Sequence, residues 1–295
     1  MQDSFRPVRI GLALSGGGAR GFAHVGVIQE LERLHVPLFC VAGTSMGSLV
    51  GGWYCAKGNV DSLIDVFKTH PWRSFFEVRH VPHNLGSGGL FDMAKIEKEM
   101  RSYLGTVNIE GLSTKFMTPA TSLKSGAEVD FSSGDLVDAI CSSGSLPFVF
   151  LPRKHGDDYL SDGGLLNNLP IDLCFKMGAD IVLAVDVGYE FSDFNLINSD
   201  GNVSFKPWEV YRVADALISM VGQKNKKYDP QDPRIMIIRP YVTYIATTEF
   251  DRMDDAVFAG RKAVQEQEQA VCEFARVARP QKGFWDKVAD FLKES

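Results

Sequence analysis

The chain has 295 residues, 45% hydrophobic and 23% charged, with a formal net charge of −6 and a pI near 5.6. This is the composition of a globular protein with room for a sizeable core, and it lacks the basic footprint of a nucleic-acid binder. Nowhere do eighteen apolar residues run together to span a bilayer. The cysteines (Cys40, Cys55, Cys141, Cys174, Cys272) are odd in number and far apart, without a CxxC pair. They are expected as free thiols in a reducing compartment, not as a disulfide framework or zinc site. The N-terminus lacks the long apolar stretch of a signal peptide. A cytoplasmic protein is expected.

In chain order, residues 8–14 read as a buried strand ending in a glycine run. A helix follows with Ala23, Val27, Ile28, Leu31 and Leu34 on one face and Glu30, Glu32 and Arg33 turned outward. Residues 38–42 form a second strand, which runs into Gly43 and a small-residue helix to about Lys57. The short crossover predicts neighbouring parallel strands with both loops leaving their C-terminal ends, where open α/β sheets build their sites. Residues 71–89 are looser, with aromatics among His, Pro and Gly, and are a candidate apolar flap. Helices are predicted over 92–104, with Asp92 as N-cap, and over 135–142, 171–177, 208–224 and 254–278. Strands are predicted over 115–123, 128–131, 181–187 and 234–239. The expected fold is α/β: an open, mainly parallel sheet flanked by helices, with a helical C-terminal part. Residues 1–280 read as a single domain and 281–295 as a C-terminal amphipathic helix or tail.

Two loops carry the candidate chemistry. Gly16-Gly17-Gly18-Ala19-Arg20-Gly21 fits G-x-G-x-x-G between a strand and a helix, which is also the dinucleotide fingerprint. That fingerprint wants a carboxylate ending the second strand, and none stands at 40–45. A phosphate-binding loop of the Lys-Ser/Thr kind is excluded because Phe22 follows Gly21. What remains is either a plain tight turn or a loop whose backbone N–H groups face developing negative charge. Gly43-Thr44-Ser45-Met46-Gly47 is G-x-S-x-G, the pattern of a serine presented on a sharp strand-to-helix turn. The serine needs a base. All six histidines precede Asp162, so the Ser…Asp…His order of α/β-hydrolases cannot be built. His155 sits in the polar stretch 153–158, which reads as a solvated turn holding Asp157 and Asp158.

Asp162-Gly163-Gly164 follows a short strand and precedes Asn167-Asn168-Leu169-Pro170. With the glycine loop, the serine pattern and residues 178–187 in this order, the chain resembles the patatin-like phospholipases, in particular the small bacterial members. The resemblance implies a Ser45–Asp162 dyad without histidine, with Gly16, Gly17 and Gly18 as the oxyanion loop and Arg20 as the family's basic position. Gly21, Gly43, Gly47, Gly163 and Gly164 match its motif glycines. Phe148 and Ser122 depart from the pattern, where glycine and an acidic residue are usual. The Met46 N–H is a further candidate oxyanion donor. Neither metal nor cofactor is needed. The implied function is hydrolysis of phospholipid or lysophospholipid esters through an acyl-enzyme; a regulatory or binding protein on the same fold is the alternative. Peripheral membrane contact and homo-oligomerisation are both compatible with the sequence, and residues 283–295 would serve either membrane contact or docking on protein.

Overall fold

The computed structural model describes residues 6–69, 89–91, 93–188, 217–218, 220–222 and 224–277. Its main sheet contains strands β1 (Ile10–Leu14), β2 (Leu38–Gly43), β4 (Lys115–Ser122), β5 (Glu128–Phe131), β7 (Arg153–His155), β8 (Asp158–Asp162), β9 (Ile181–Val185) and β10 (Ile235–Ile238). The order is β10-β9-β1-β2-β4-β8-β7, with β5 also on β4. Strands β10, β9, β1, β2 and the start of β4 run parallel. The second half of β4 pairs antiparallel with β5 and β8. The sheet is therefore mixed, parallel through its centre and antiparallel at one side. A separate parallel pair joins β3 (Gly89–Phe91) to β6 (Phe148–Phe150).

Alternation along β1 assigns its two faces. Ile10, Leu12 and Leu14 enter the larger core with α1 (Ala23–Arg33) and α2 (Met46–Lys57). Ala13 faces the smaller core with Cys40, Ala42 and Ala184, against α6 (Ile171–Met177). Residues on this second face are small because α6 lies close: a Cβ on Gly11 would stand 2.8 Å from the Cys174 Cβ. Helices thus cover both faces of the parallel strands, as buried parallel sheets require.

The remaining helices are α3 (Asp61–Thr69), α4 (Ala94–Leu104), α5 (Leu136–Ser143), α7 (Met253–Gln265) and α8 (Glu268–Ala275). Three expectations change. Glu30 is buried, not outward, because it accepts from Arg33 and from Gln265 on α7. The single helix expected over 254–278 is two helices, broken at Glu266 and Gln267; the break brings Glu268 to Arg33 Nη2 at 2.6 Å. Arg153–His155 and Asp158–Asp162 form a hairpin, not a solvated turn, with Gly156 at positive φ between them. Asp158 accepts from Ser122 Oγ and two backbone amides there.

Helix α7 reaches the glycine loop by crossing α1 at backbone contact. A Cβ on Gly26 would collide with Val257 O, and one on Gly260 with Ala23 O. The cap of α4 is Met93, without a side-chain hydrogen bond, whereas Asp135 caps α5 by accepting from Asp138 N at 2.8 Å. The flap expected over 71–89 falls, save for Gly89, outside the described residues, as do most of the helix expected over 208–224, the segment 281–295 and Asp92. No helix among the described residues is long and apolar enough to cross a membrane.

Candidate active site

Ser45 follows β2 and precedes α2 with φ 54° and ψ −119°. A non-glycine residue reaches this region only under local strain, which here is imposed by the turn. Both flanking glycines are sterically required: a Cβ on Gly43 would collide with Gly47 O, and one on Gly47 with Leu14 O. Thr44 locks the turn by donating from its N–H to Leu14 O (3.0 Å) and from Oγ1 to Asn167 O (2.8 Å). Ser45 N–H donates to Ser143 Oγ at 3.0 Å. Gly47→Ala should therefore leave little folded protein, because the colliding atom is backbone on the central strand. Its soluble yield and thermal melt, compared with Gly111→Ala, where a Cβ would meet open space and the backbone is not left-handed, measure this.

Asp162 ends β8 and is 2% exposed. Its backbone is fixed by Asp162 N–H to Ser145 O and by Thr121 Oγ1 to Asp162 O, both 2.9 Å. Its Oδ1 accepts from Gly164 N–H at 2.7 Å. The following glycines are also steric: a Cβ on Gly163 would collide with Pro119 O, and one on Gly164 would press on Asp162 Oδ1 itself at 2.9 Å. Burial pushes the carboxyl up to about 6, against the opposing pull of the Ser45 hydroxyl and the Gly164 amide. Oδ2 is buried and makes no hydrogen bond of good geometry. The Ser45 contact is therefore a proximity, with Oδ2 open to take a proton.

Ser45, Asp162 and Gly16–Gly18 share one cavity of about 180 Å³. Its remaining walls are mainly apolar, with Leu49, Trp53, Phe67 and Met100 among them. The structure divides the glycine loop by role. Gly16 N–H is already donated to Asn168 O (3.1 Å), so Gly16 serves by lacking a side chain: a Cβ there would meet Asn168 Oδ1 and Ser45 Cβ. The N–H groups of Gly17, Gly18 and Met46 have no acceptor among the described residues, and all three residues line the cavity. Gly18, at φ +55°, is pressed against Thr247 O. Gly21 is required by Met46, whose side chain fills the space of a Cβ.

Arg20 does not join them. It is 1% exposed, is not part of the cavity wall, and donates from Nε to Ile245 O at 2.6 Å. Its role is to strap the loop to residues 243–247, aided by Ala19 N–H to Thr247 O at 2.8 Å. The histidines near the site and the cavity's thiol are poor competitors for the base. His24 is buried, Nε2 donates to Ser15 O at 2.8 Å, and burial lowers its pKa to about 4, so the ring is neutral. His155 packs edge-on against Phe131 on the hairpin, away from the cavity wall. Cys141 does line the cavity, but burial pushes its thiol up to about 12, leaving it un-ionised near neutrality. Among the described residues no group of three His, Cys, Asp or Glu side chains is placed to hold a metal.

Three participants escaped sequence reasoning: Ser143 as the acceptor for Ser45 N–H, Asn168 as the acceptor for Gly16, and Thr247 against Gly18. Asn168 stood in a noted motif without a role. Ser143 and Thr247 lie about 100 and 200 residues from Ser45, and only folding brings them to the turn.

The chain is 36% identical over 179 residues to an uncharacterized NTE family protein of Mycobacterium tuberculosis, covering 61% of this chain and 49% of that protein. It is 33% identical over 272 residues to Lysophospholipase NTE1 of Scheffersomyces stipitis, covering 85% of this chain and 17% of that one. It is 29% identical over 274 residues to Neuropathy target esterase sws of Drosophila melanogaster, covering 83% and 18%. The chain thus spans about half the length, or less, of these curated relatives. Among solved structures, VipD from Legionella pneumophila superposes with a TM-score of 0.55 at 17% identity, over 90% of this chain and 67% of that one, a likeness of fold. The family model of the patatin-like phospholipases matches residues 12–175, from β1 through the serine turn and Asp162 into α6, and the chain belongs to that family.

Proposed function

We propose that this protein is a serine acyl hydrolase that cleaves carboxylic esters of phospholipids or lysophospholipids through Ser45 and Asp162, with residues 1–280 as one catalytic unit. The observation that carries the reading is Asp162 Oδ2: a buried acceptor without an aligned donor, beside a serine held in a strained turn, in an apolar cavity. A buried unsatisfied acceptor is costly, and a catalytic role is one reason for a fold to keep it. The family and the lysophospholipase names of the relatives agree with an ester of lipid as substrate.

The chemistry follows from these atoms. Asp162 Oδ2 takes the Ser45 hydroxyl proton as Oγ attacks the ester carbonyl. The oxyanion forms against the N–H groups of Gly17 and Gly18, with Met46 N–H as a third donor; losing one such donor typically costs about 3–4 kcal/mol. Collapse of the intermediate expels the alcohol, which leaves with the proton from Asp162, and Ser45 keeps the acyl group. Water then attacks the acyl carbonyl, giving its proton to Asp162, and the proton returns to Ser45 Oγ as the carboxylic acid departs. A carboxyl at about 6 is a better base than one at the ordinary value near 4 and is still ionised at neutral pH. The five buried, free cysteines fit a reducing compartment such as the cytoplasm.

A fluorophosphonate probe tests the reading. It should label Ser45 alone, and the labelling rate should fall about tenfold per pH unit below pH 6 as Asp162 protonates. Labelling elsewhere, or none with the protein folded, would leave the regulatory or binding alternative in its place.

A further inference from the structure

The walls of the cavity set a limit on what the serine can process. Ser45 caps α2, and the α2 residues that line the cavity are Met46, Leu49 and Trp53. The spacing from Ser45 to Leu49 to Trp53 is i, i+4, i+8, one stripe of the helix. Past Trp53, α2 contributes nothing more to the wall. Trp53 is 1% exposed and the largest fully buried side chain of the described core. Its indole is also pinned: Nε1 donates to Ser62 Oγ at 2.9 Å, at the start of α3, and the ring lies against Tyr103 at 6.0 Å. The same α3 supplies Leu63, Val66 and Phe67 to the wall.

We infer that Trp53 is the floor of the acyl channel and restricts this enzyme to medium-length acyl chains. The inference rests on the acyl-hydrolase reading of the cavity and adds the substrate's length to it. Two independent measures agree. Eight residues of helix rise about 12 Å, and an alkyl chain with bonds of about 1.5 Å, advancing ~1.25 Å each in zigzag, covers that in about ten carbons. The volume of about 180 Å³ is little more than the roughly 150 Å³ that accommodates benzene, and well below the roughly 300–1,000 Å³ of sites that enclose drug-sized ligands. A volume of this size encloses about six to ten carbons, so a chain of sixteen would extend beyond it.

Straight-chain fatty acids of six to sixteen carbons, titrated calorimetrically below their critical micelle concentrations, read the floor without any turnover. Affinity should rise roughly fourfold per methylene up to about ten carbons and then level off. In Trp53→Leu the rise should continue to fourteen carbons or beyond. In Ser62→Ala, which frees the ring without removing it, the levelling should blur toward longer chains. Hydrolysis of the matching p-nitrophenyl esters gives the second reading, as the ratio of kcat/KM for the fourteen-carbon to the eight-carbon ester. That ratio is indifferent to how much of a variant folds, and Trp53→Leu should raise it at least tenfold. An unbroken rise in wild-type affinity to sixteen carbons, or a break point that neither variant moves, overturns the inference. If the break point appears as expected but no ester is hydrolysed, the floor stands and the Ser45–Asp162 reading is what fails.

Discussion

Ser45→Ala and Asp162→Asn should each lower kcat/KM for a short-chain ester by roughly 10⁴-fold or more, and the double variant should be little worse than either single one. In the proposed mechanism the two side chains form one proton-transfer unit: a serine without an acceptor is a poor nucleophile, and a carboxylate without the serine has no proton to take. Groups that act as a unit are strongly non-additive, and what survives is the contribution of the oxyanion donors and of substrate binding. Steady-state kinetics on the three variants, with circular dichroism to confirm the fold, measures the cycle. Losses that multiply in the double variant would sink the dyad. His155→Ala serves as the contrasting case and should retain nearly full activity, because its ring packs on Phe131 and does not line the cavity.

The second large effect is on stability, and it runs opposite to activity. Asp162 is held at about 6 in the fold, against an ordinary aspartate value near 4. Between these two values the folded protein binds more protons than the unfolded chain, so this group lowers stability as pH rises from about 4 through 6. The full penalty, on the order of 3 kcal/mol by linkage, is present at pH 7 and above. Asp162→Asn removes the ionisation while keeping the shape, and should therefore melt higher than wild type at pH 7.5, with the advantage vanishing below pH 4. His24 has the reverse sign. Its pKa is lowered to about 4 by burial, so the unfolded chain binds more protons between about 4 and 6.5, and stability is lost as pH falls through that window. In wild type the two slopes oppose each other over nearly the same range. The Asn variant exposes the His24 slope alone and should show a steeper acid loss. Thermal melts of the two proteins from pH 4 to 8 make the comparison; identical curves would mean that burial does not raise the Asp162 carboxyl.

The opposition between activity and stability has a structural basis. The fold tolerates a strained Ser45 and a desolvated Asp162 because backbone on every side over-determines them, through Leu14, Gly47, Pro119 and Ser145. Asp162→Asn relaxes the desolvation penalty that the rest of the sheet sustains, whereas Ser45→Ala keeps its backbone strain, because alanine carries the same Cβ.

The local pieces were legible in the sequence. Apolar runs with strand length marked β1, β2 and β9; helical periodicity marked α1 and a run of small residues α2; and the glycine, serine and Asp-Gly-Gly patterns stood at strand ends, because tight turns with no room for Cβ leave a trace in residue type. The absence of any histidine after Asp162 already excluded the triad order of α/β-hydrolases. Other features depend on contacts between residues far apart in the chain. Glu30 reads as an outward charge until Gln265 and Arg33 meet it. Arg20 is legible only as the basic position of the glycine loop until the carbonyls of Thr243 and Ile245 arrive more than 220 positions later to receive it. Gly16 reads as a free donor until Asn168 takes its N–H, leaving Gly17 and Gly18 as the donors proposed for the oxyanion. Backbone conformation is set mainly by neighbours a few positions away, so residue type reports it; the fate of a polar atom is set by whichever partner the topology delivers, and for these residues that was decided only when the sheet, α6 and α7 closed around the loop.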